Sequence, residues 1–265
     1  MPGNDPRGGA ALPRVRDRAH LTMQRRTFLK LAMLMTVHCA KSPSTLPDGL
    51  LHARPQSAPP SSLTTERPQR LGLASDRDGY FYAPPRHRNA PVLLYLHGAT
   101  GSGERAIGRF TEYAERTGTI VVAPDSREYT WGLVTNDETA DLAFIDRALN
   151  KIFASCSVDP RRIAVAGFSD GASAALSWGL LNGDLFRGVA AFSPGFIHLS
   201  AEPRGTPKVF ISHGTQDSIL PIDRCGRRIA GALKSAGYDV NYQEFDGEHT
   251  VPPEIRESGL TWLLG

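Results

Sequence analysis

Residues 162–176 read Arg-Ile-Ala-Val-Ala-Gly-Phe-Ser-Asp-Gly-Ala-Ser-Ala-Ala-Leu, and their order decides the fold. Ile163 to Ala166 form an apolar, partly β-branched run, Gly167-Phe168-Ser169-Asp170-Gly171 interrupts it, and Ala172, Ala174, Ala175 and Leu176 follow as strong helix formers. That is strand, sharp turn, helix. A serine at the apex of such a turn takes a strained backbone conformation, so small residues are required two positions to either side, where Gly167 and Gly171 stand. The turn lifts the Ser169 hydroxyl clear of the sheet edge. Gly-x-Ser-x-Gly alone is common in glycine-rich turns; the strand before it and the helix after it give it meaning.

Outward from this unit, strands alternate with helical stretches from Leu71 onward, which predicts an α/β fold with a mainly parallel central sheet and helices on both faces. Gly79 to Ala83 reads as an edge strand ended by Pro84-Pro85, and Pro91 to His97 is the continuous apolar run of a strand buried on both faces. Gly103 to Gly118 is predicted helical, Thr119 to Ala123 a strand, and Asp137 to Ala154 an amphipathic helix. Strands at Gly188 to Phe192, Lys208 to Ser212 and Asp239 to Phe245 follow, with helices near Pro221 to Ala236 and Pro252 to Leu263. The 265-residue chain has room for one substantial core.

Charge separates the chain into two parts. Residues 1–70 hold 11 Lys and Arg against 4 Asp and Glu, and residues 71–265 hold 19 against 23. A mildly acidic body without a basic stripe gives no reason to expect a nucleic-acid partner. Met23 begins a basic stretch, Gln24-Arg25-Arg26-Thr27-Phe28-Leu29-Lys30, followed by the apolar run Leu31 to Val37, too short to span a bilayer. It resembles a twin-arginine export signal, so an exported protein, periplasmic, secreted or membrane-tethered, is expected, with Met1 or Met23 as the start. Cys39 stands where such a signal is cut and offers a lipid tether, although His38 before it is larger than a lipobox requires. Residues 1–39 are thus read as extension and signal. Residues 40–70, with six prolines and five serines, are read as a flexible linker, and 71–265 as the catalytic domain.

A serine nucleophile needs a general base within hydrogen-bond reach, and the base needs an orienting carboxylate. On this architecture such groups lie on loops at the carboxyl ends of strands. His249 follows the last predicted strand, and Asp217 follows the strand before it. Ser169, Asp217, His249 is the order of an α/β-hydrolase triad. Asp223 is a rival acid, but a helix starting at Pro221 would place it in the first turn. Asp246 and Glu248 are rivals too close in sequence to face the His249 ring. The backbone N–H groups of Ala99, after the strand ending at His97, and Asp170, directly after the nucleophile, are candidates for an oxyanion hole. His97 and His213, each followed by Gly, read as structural, and no metal site or cofactor is expected.

Leu96-His97-Gly98, Gly167 to Gly171, His213-Gly214-Thr215-Gln216-Asp217-Ser218-Ile219-Leu220-Pro221 and Gly247-Glu248-His249 together resemble the phospholipase/carboxylesterase family of α/β-hydrolases. That family includes acyl-protein thioesterases, and the motifs are also similar to those of exported polyester depolymerase-like and feruloyl-type esterases. The resemblance runs from about Leu71 to the end. It implies a serine esterase in which Asp217 orients His249, acting on a small-molecule or polymeric ester. Asp170 stands where the family often has Gln, so the charge beside the acyl site differs.

Two loops are expected to line the cleft, Asp125 to Asn136 with Tyr129 and Trp131, and Ser193 to Thr206 with Phe196 and Ile197. Ile219 and Leu220 add apolar surface beside the acid. Neither loop is long enough for a lid domain. Cys156 and Cys225 are expected at opposite edges of the sheet, beyond bridging distance, and therefore free. The same triad would serve a serine peptidase or an acyltransferase, and a hydrolase scaffold can also serve as a non-catalytic binding protein.

Overall fold

The computed structural model describes residues 49–56, 63–85, 89–135 and 137–265. The export-signal stretch and Cys39 lie outside the described residues. Among the described residues one eight-stranded sheet runs in the order β1-β2-β4-β3-β5-β6-β7-β8. The strands are β1 (Gln69–Arg70), β2 (Gly79–Tyr82), β3 (Ala90–Leu96), β4 (Ile120–Pro124), β5 (Val158–Phe168), β6 (Gly188–Phe192), β7 (Lys208–Gly214) and β8 (Val240–Phe245). β2 pairs antiparallel with β1 and β4, and every other neighbouring pair is parallel.

The period of two along each strand sorts side chains between two cores. Val92, Leu94 and Leu96 of β3 join one, and Leu93 and Tyr95 join the other. The first core is covered by α3 (Gly132–Thr135), α4 (Thr139–Ser155), α5 (Asp170–Leu181) and α6 (Gly226–Ser235). The second is covered by α1 (Gly103–Ile107), α2 (Thr111–Thr117) and α7 (Pro253–Leu264). This is the α/β-hydrolase architecture that the sequence implied, and among the described residues no inserted lid domain covers the carboxyl edge of the sheet.

Three expectations need correction. The stretch from Gly103 to Gly118 is two helices, α1 and α2, broken at Gly108 to Phe110 where Phe110 turns into the second core. α6 begins at Gly226 rather than Pro221, because residues 221–225 form turns first. The described parts of the expected linker are seated on the domain. Leu51 is 2% exposed, its amide donates to Asn182 Oδ1 at 2.8 Å, and the amides of His52 and Ala53 both donate to Asp146 Oδ1. Thr65 exchanges hydrogen bonds with Ala83, and Gln69 and Arg70 form the edge strand. Averaged Pro and Ser content hid the short apolar run at 50–53, whose burial and satisfied backbone groups outweigh the loss of chain entropy. Cys156 and Cys225 are both buried and free.

Candidate active site

β5 delivers the turn that carries Ser169. Ser169 has φ 56° and ψ −120°, a conformation that costs a non-glycine residue about 1–3 kcal/mol and persists only where its surroundings enforce it. The enforcement is close packing of backbone against backbone. A Cβ on Gly171 would lie 2.1 Å from the Leu96 carbonyl oxygen, and one on Gly167 would lie 2.1 Å from that of Gly171. Only glycine lets α5 start against the end of β3.

The structure brings Ser169, His249 and Asp217 into one hydrogen-bonded chain. His249 Nδ1 lies 2.7 Å from Asp217 Oδ2, and its Nε2 lies 2.9 Å from Ser169 Oγ. A carboxylate oxygen only accepts, so Nδ1 carries the proton and Nε2 is left bare to receive one from the serine hydroxyl. Asp217 divides its two oxygens between two tasks. Oδ1 accepts from the amides of Ile219 and Leu220, shaping the turn, while Oδ2 faces the imidazole. Burial works to raise the Asp217 carboxyl, but the Leu220 amide and the His249 ring outweigh it and hold the group below the usual carboxylate range. Asp223 is excluded as the acid, being exposed and paired with Arg227 at 2.7 Å, and Asp246 accepts from Gln216 instead.

His213 was read as structural, and its place is closer to the chemistry than that. Its ring is fully buried, and Nε2 donates to the Leu220 carbonyl at 2.7 Å while standing 3.2 Å from Asp217 Oδ2. Burial holds this imidazole below its ordinary value, so it is a neutral donor behind the acid. The four-residue spacing from His213 to Asp217 across a strand end was the signal for it. His97 is fixed on both nitrogens, Nδ1 donating to the Gly98 carbonyl at 2.7 Å and Nε2 accepting from the Ser126 amide at 3.0 Å.

The loop after β4 turns out to be mainly a buttress for the loop carrying Ala99. Besides the Ser126 amide, the Tyr129 carbonyl accepts from the Thr100 amide at 2.7 Å and the Trp131 indole donates to the His97 carbonyl at 2.7 Å. Trp131 is therefore 0% exposed and does not line a cleft, because its N–H is spent inside and its ring packs on Trp178. Ile197, 4% exposed, is likewise core rather than cleft. Tyr129 and Ile219 stand out at 60% and 67% exposed, and Phe196 and Leu220 are half-buried. Among the described residues neither the Ala99 amide nor the Asp170 amide has an acceptor. Thr130, missed in the sequence, donates to Asp170 Oδ2 at 2.7 Å and fixes that carboxylate beside Ser169.

The sequence model of the phospholipase/carboxylesterase family matches residues 124–258, half of the chain, from the end of β4 through His249. The chain belongs to that family. Acyl-protein thioesterase 1 of Gibberella zeae is 27% identical over 139 residues, covering 47% of this chain and 58% of that protein. The S-formylglutathione hydrolase of Bos taurus is 29% identical over 140 residues, covering 43% of this chain and 50% of that protein. The chain spans about half the length of the curated relatives it matches. Among solved structures, esterase PE8 superposes with a TM-score of 0.58 at 22% identity, over 67% of this chain and 94% of its own. A phospholipase/carboxylesterase from Dyadobacter fermentans gives 0.56 at 23% identity, over 70% and 95%. At such identities these two establish the shared fold.

Proposed function

We propose that the protein is a serine carboxylesterase that forms an acyl-enzyme on Ser169. The observation that carries the reading is the chain from Asp217 Oδ2 through His249 to Ser169 Oγ, with spacings of 2.7 and 2.9 Å, on a serine held at positive φ. His249 Nε2 takes the hydroxyl proton as Oγ attacks the ester carbonyl carbon. The carbonyl oxygen becomes an oxyanion, for which the amides of Ala99 and Asp170 are the available donors. Collapse breaks the bond to the alcohol oxygen, which leaves with the proton from His249. Water then attacks the acyl-enzyme, gives its proton to His249, and releases the acid and the restored serine. The names of two relatives, acyl-protein thioesterase 1 and S-formylglutathione hydrolase, support acyl transfer to water and extend the candidate substrates to thioesters. The basic and apolar run at 23–37 supports export as the setting.

The test is hydrolysis of p-nitrophenyl esters from acetate to palmitate by the full chain beside Ser169→Ala. The expected loss in the variant is roughly 10⁴-fold or more in kcat, and the chain-length profile measures the acyl site. Equal activity in the two proteins overturns the assignment of Ser169.

A further inference from the structure

A cavity of about 230 Å³ opens beside the nucleophile turn, walled by Tyr95, the Gly98 to Ser102 loop, Phe168, Arg105 of α1 and Arg109 just beyond it. It adjoins the reacting groups on two sides. Gly98 in its wall stands where a Cβ would lie 3.4 Å from Ser169 Cβ, and Phe168 packs on the His249 ring at 4.8 Å between centroids. Ala99, an oxyanion-donor candidate, is also part of the wall.

The charge of this cavity is one-sided. Among the described residues Arg54, Arg70, Arg116, Arg161 and Arg227 pair with a carboxylate and the other arginines do not. It is position beside this cavity, rather than the lack of a partner, that distinguishes Arg105 and Arg109. Among the described residues Arg105 and Arg109 form no ion pair, and no carboxylate lines the cavity. Tyr95, 4% exposed, is part of the same wall, and among the described residues its hydroxyl forms no hydrogen bond. Burial pushes this phenol up to about 12, against the opposing pull of Arg109 and Arg256, so it keeps its proton and can donate. Arg105 and Arg109 are exposed, and what singles them out is their place. Both border one cavity beside the nucleophile turn, with a phenol in the same wall whose hydroxyl forms no hydrogen bond among the described residues, a combination that suits an anion.

Resting on the serine-esterase reading, we propose that this cavity receives a carboxylate or phosphate group of the ester substrate, held by Arg105, Arg109 and the Tyr95 hydroxyl. The preferred substrates are therefore anionic esters, and the anion belongs either to the acyl part or to the alcohol part.

Two matched pairs of substrates separate those sources. Monophenyl adipate against phenyl hexanoate places the charge on the acyl side, and 3-acetoxybenzoate against its methyl ester places it on the leaving alcohol. At low ionic strength one anionic ester is expected to exceed its neutral partner about tenfold in kcat/KM, with the preference shrinking as salt is added. In Arg105→Gln/Arg109→Gln that ratio is expected to fall to about one. A ratio near one for both pairs in the wild type, or a ratio unmoved in the double variant, overturns the proposal. If no ester is turned over, the serine-esterase reading fails on its own, and calorimetric titration with benzoate and phenyl phosphate decides this one. Saturable binding that is lost in the double variant upholds the anion site, and absence of saturable binding in the wild type overturns it.

Discussion

At the end of β5, Ser169 is held by backbone, whereas beyond β7 Asp217 is held by its own side chain. The serine sits at φ 56° because Gly167 and Gly171 bring carbonyls within 2.1 Å of where a Cβ would be. The aspartate sits where it does because Oδ1 takes two amides and Oδ2 takes a ring N–H. The first site is closed to any added carbon, and the second is indifferent to shape but dependent on charge. Two ways of fixing an atom therefore fail in two different ways.

The largest expected effect comes from Asp217→Asn. The new amide oxygen can still take the Ile219 and Leu220 amides, so its NH₂ group would face His249 and force Nδ1 to accept. Nε2 then carries the proton and can no longer receive one from Ser169. A loss of about 10⁴-fold in kcat, with a lowered melting temperature because the folded loop favours the charged carboxylate, is the expected outcome. An unchanged melting temperature would break the comparison, since the loop would then be held without the carboxylate's charge.

Smaller effects test the β5 side. Gly171→Ala places a methyl group against the Leu96 carbonyl, which backbone can relieve only by moving, and is expected to cost about 3 kcal/mol in denaturant unfolding. Ser169→Gly removes the strain along with the nucleophile. It is expected to raise stability by about 1 kcal/mol or more while activity disappears. A neutral or destabilising Ser169→Gly would show that the positive φ stores no strain.

The smallest effect lies behind the acid. Burial holds His97 and His213 below the ordinary histidine value, so the unfolded chain binds more protons than the folded one once pH falls below about 6.5. Their contribution to stability is complete above that pH and declines below it. His213→Gln removes one of the two groups. The slope of unfolding free energy between about pH 6.5 and 5 is expected to lessen by up to about 1.4 kcal/mol per pH unit. An unchanged slope would mean that the His213 ring is solvated after all.

The α/β architecture was legible because buried parallel strands are continuous apolar runs with few rivals, as in Pro91 to His97 and Gly188 to Phe192. The order of Ser169, Asp217 and His249 was legible because each follows a strand and so falls at one edge of the sheet. Trp131 and Ile197 were misread because an aromatic or aliphatic side chain in a loop looks the same whether it faces solvent or packs inward. The hydrogen bond from the Trp131 indole to the His97 carbonyl spans 34 residues, and local sequence carries no trace of it. Leu51 escaped for a related reason, being a short apolar run within a proline-rich average.

Sequence alone determined the strand-turn-helix unit at 162–176 and the glycines on either side of Ser169, because backbone sterics are local and leave no alternative residue. Tertiary structure alone decided which histidine stands behind Asp217, that Trp131 packs inward, and which arginines border the cavity beside Ser169. Those outcomes depend on distances between chain segments, and such distances are set by how the strands pack rather than by any residue's own preference.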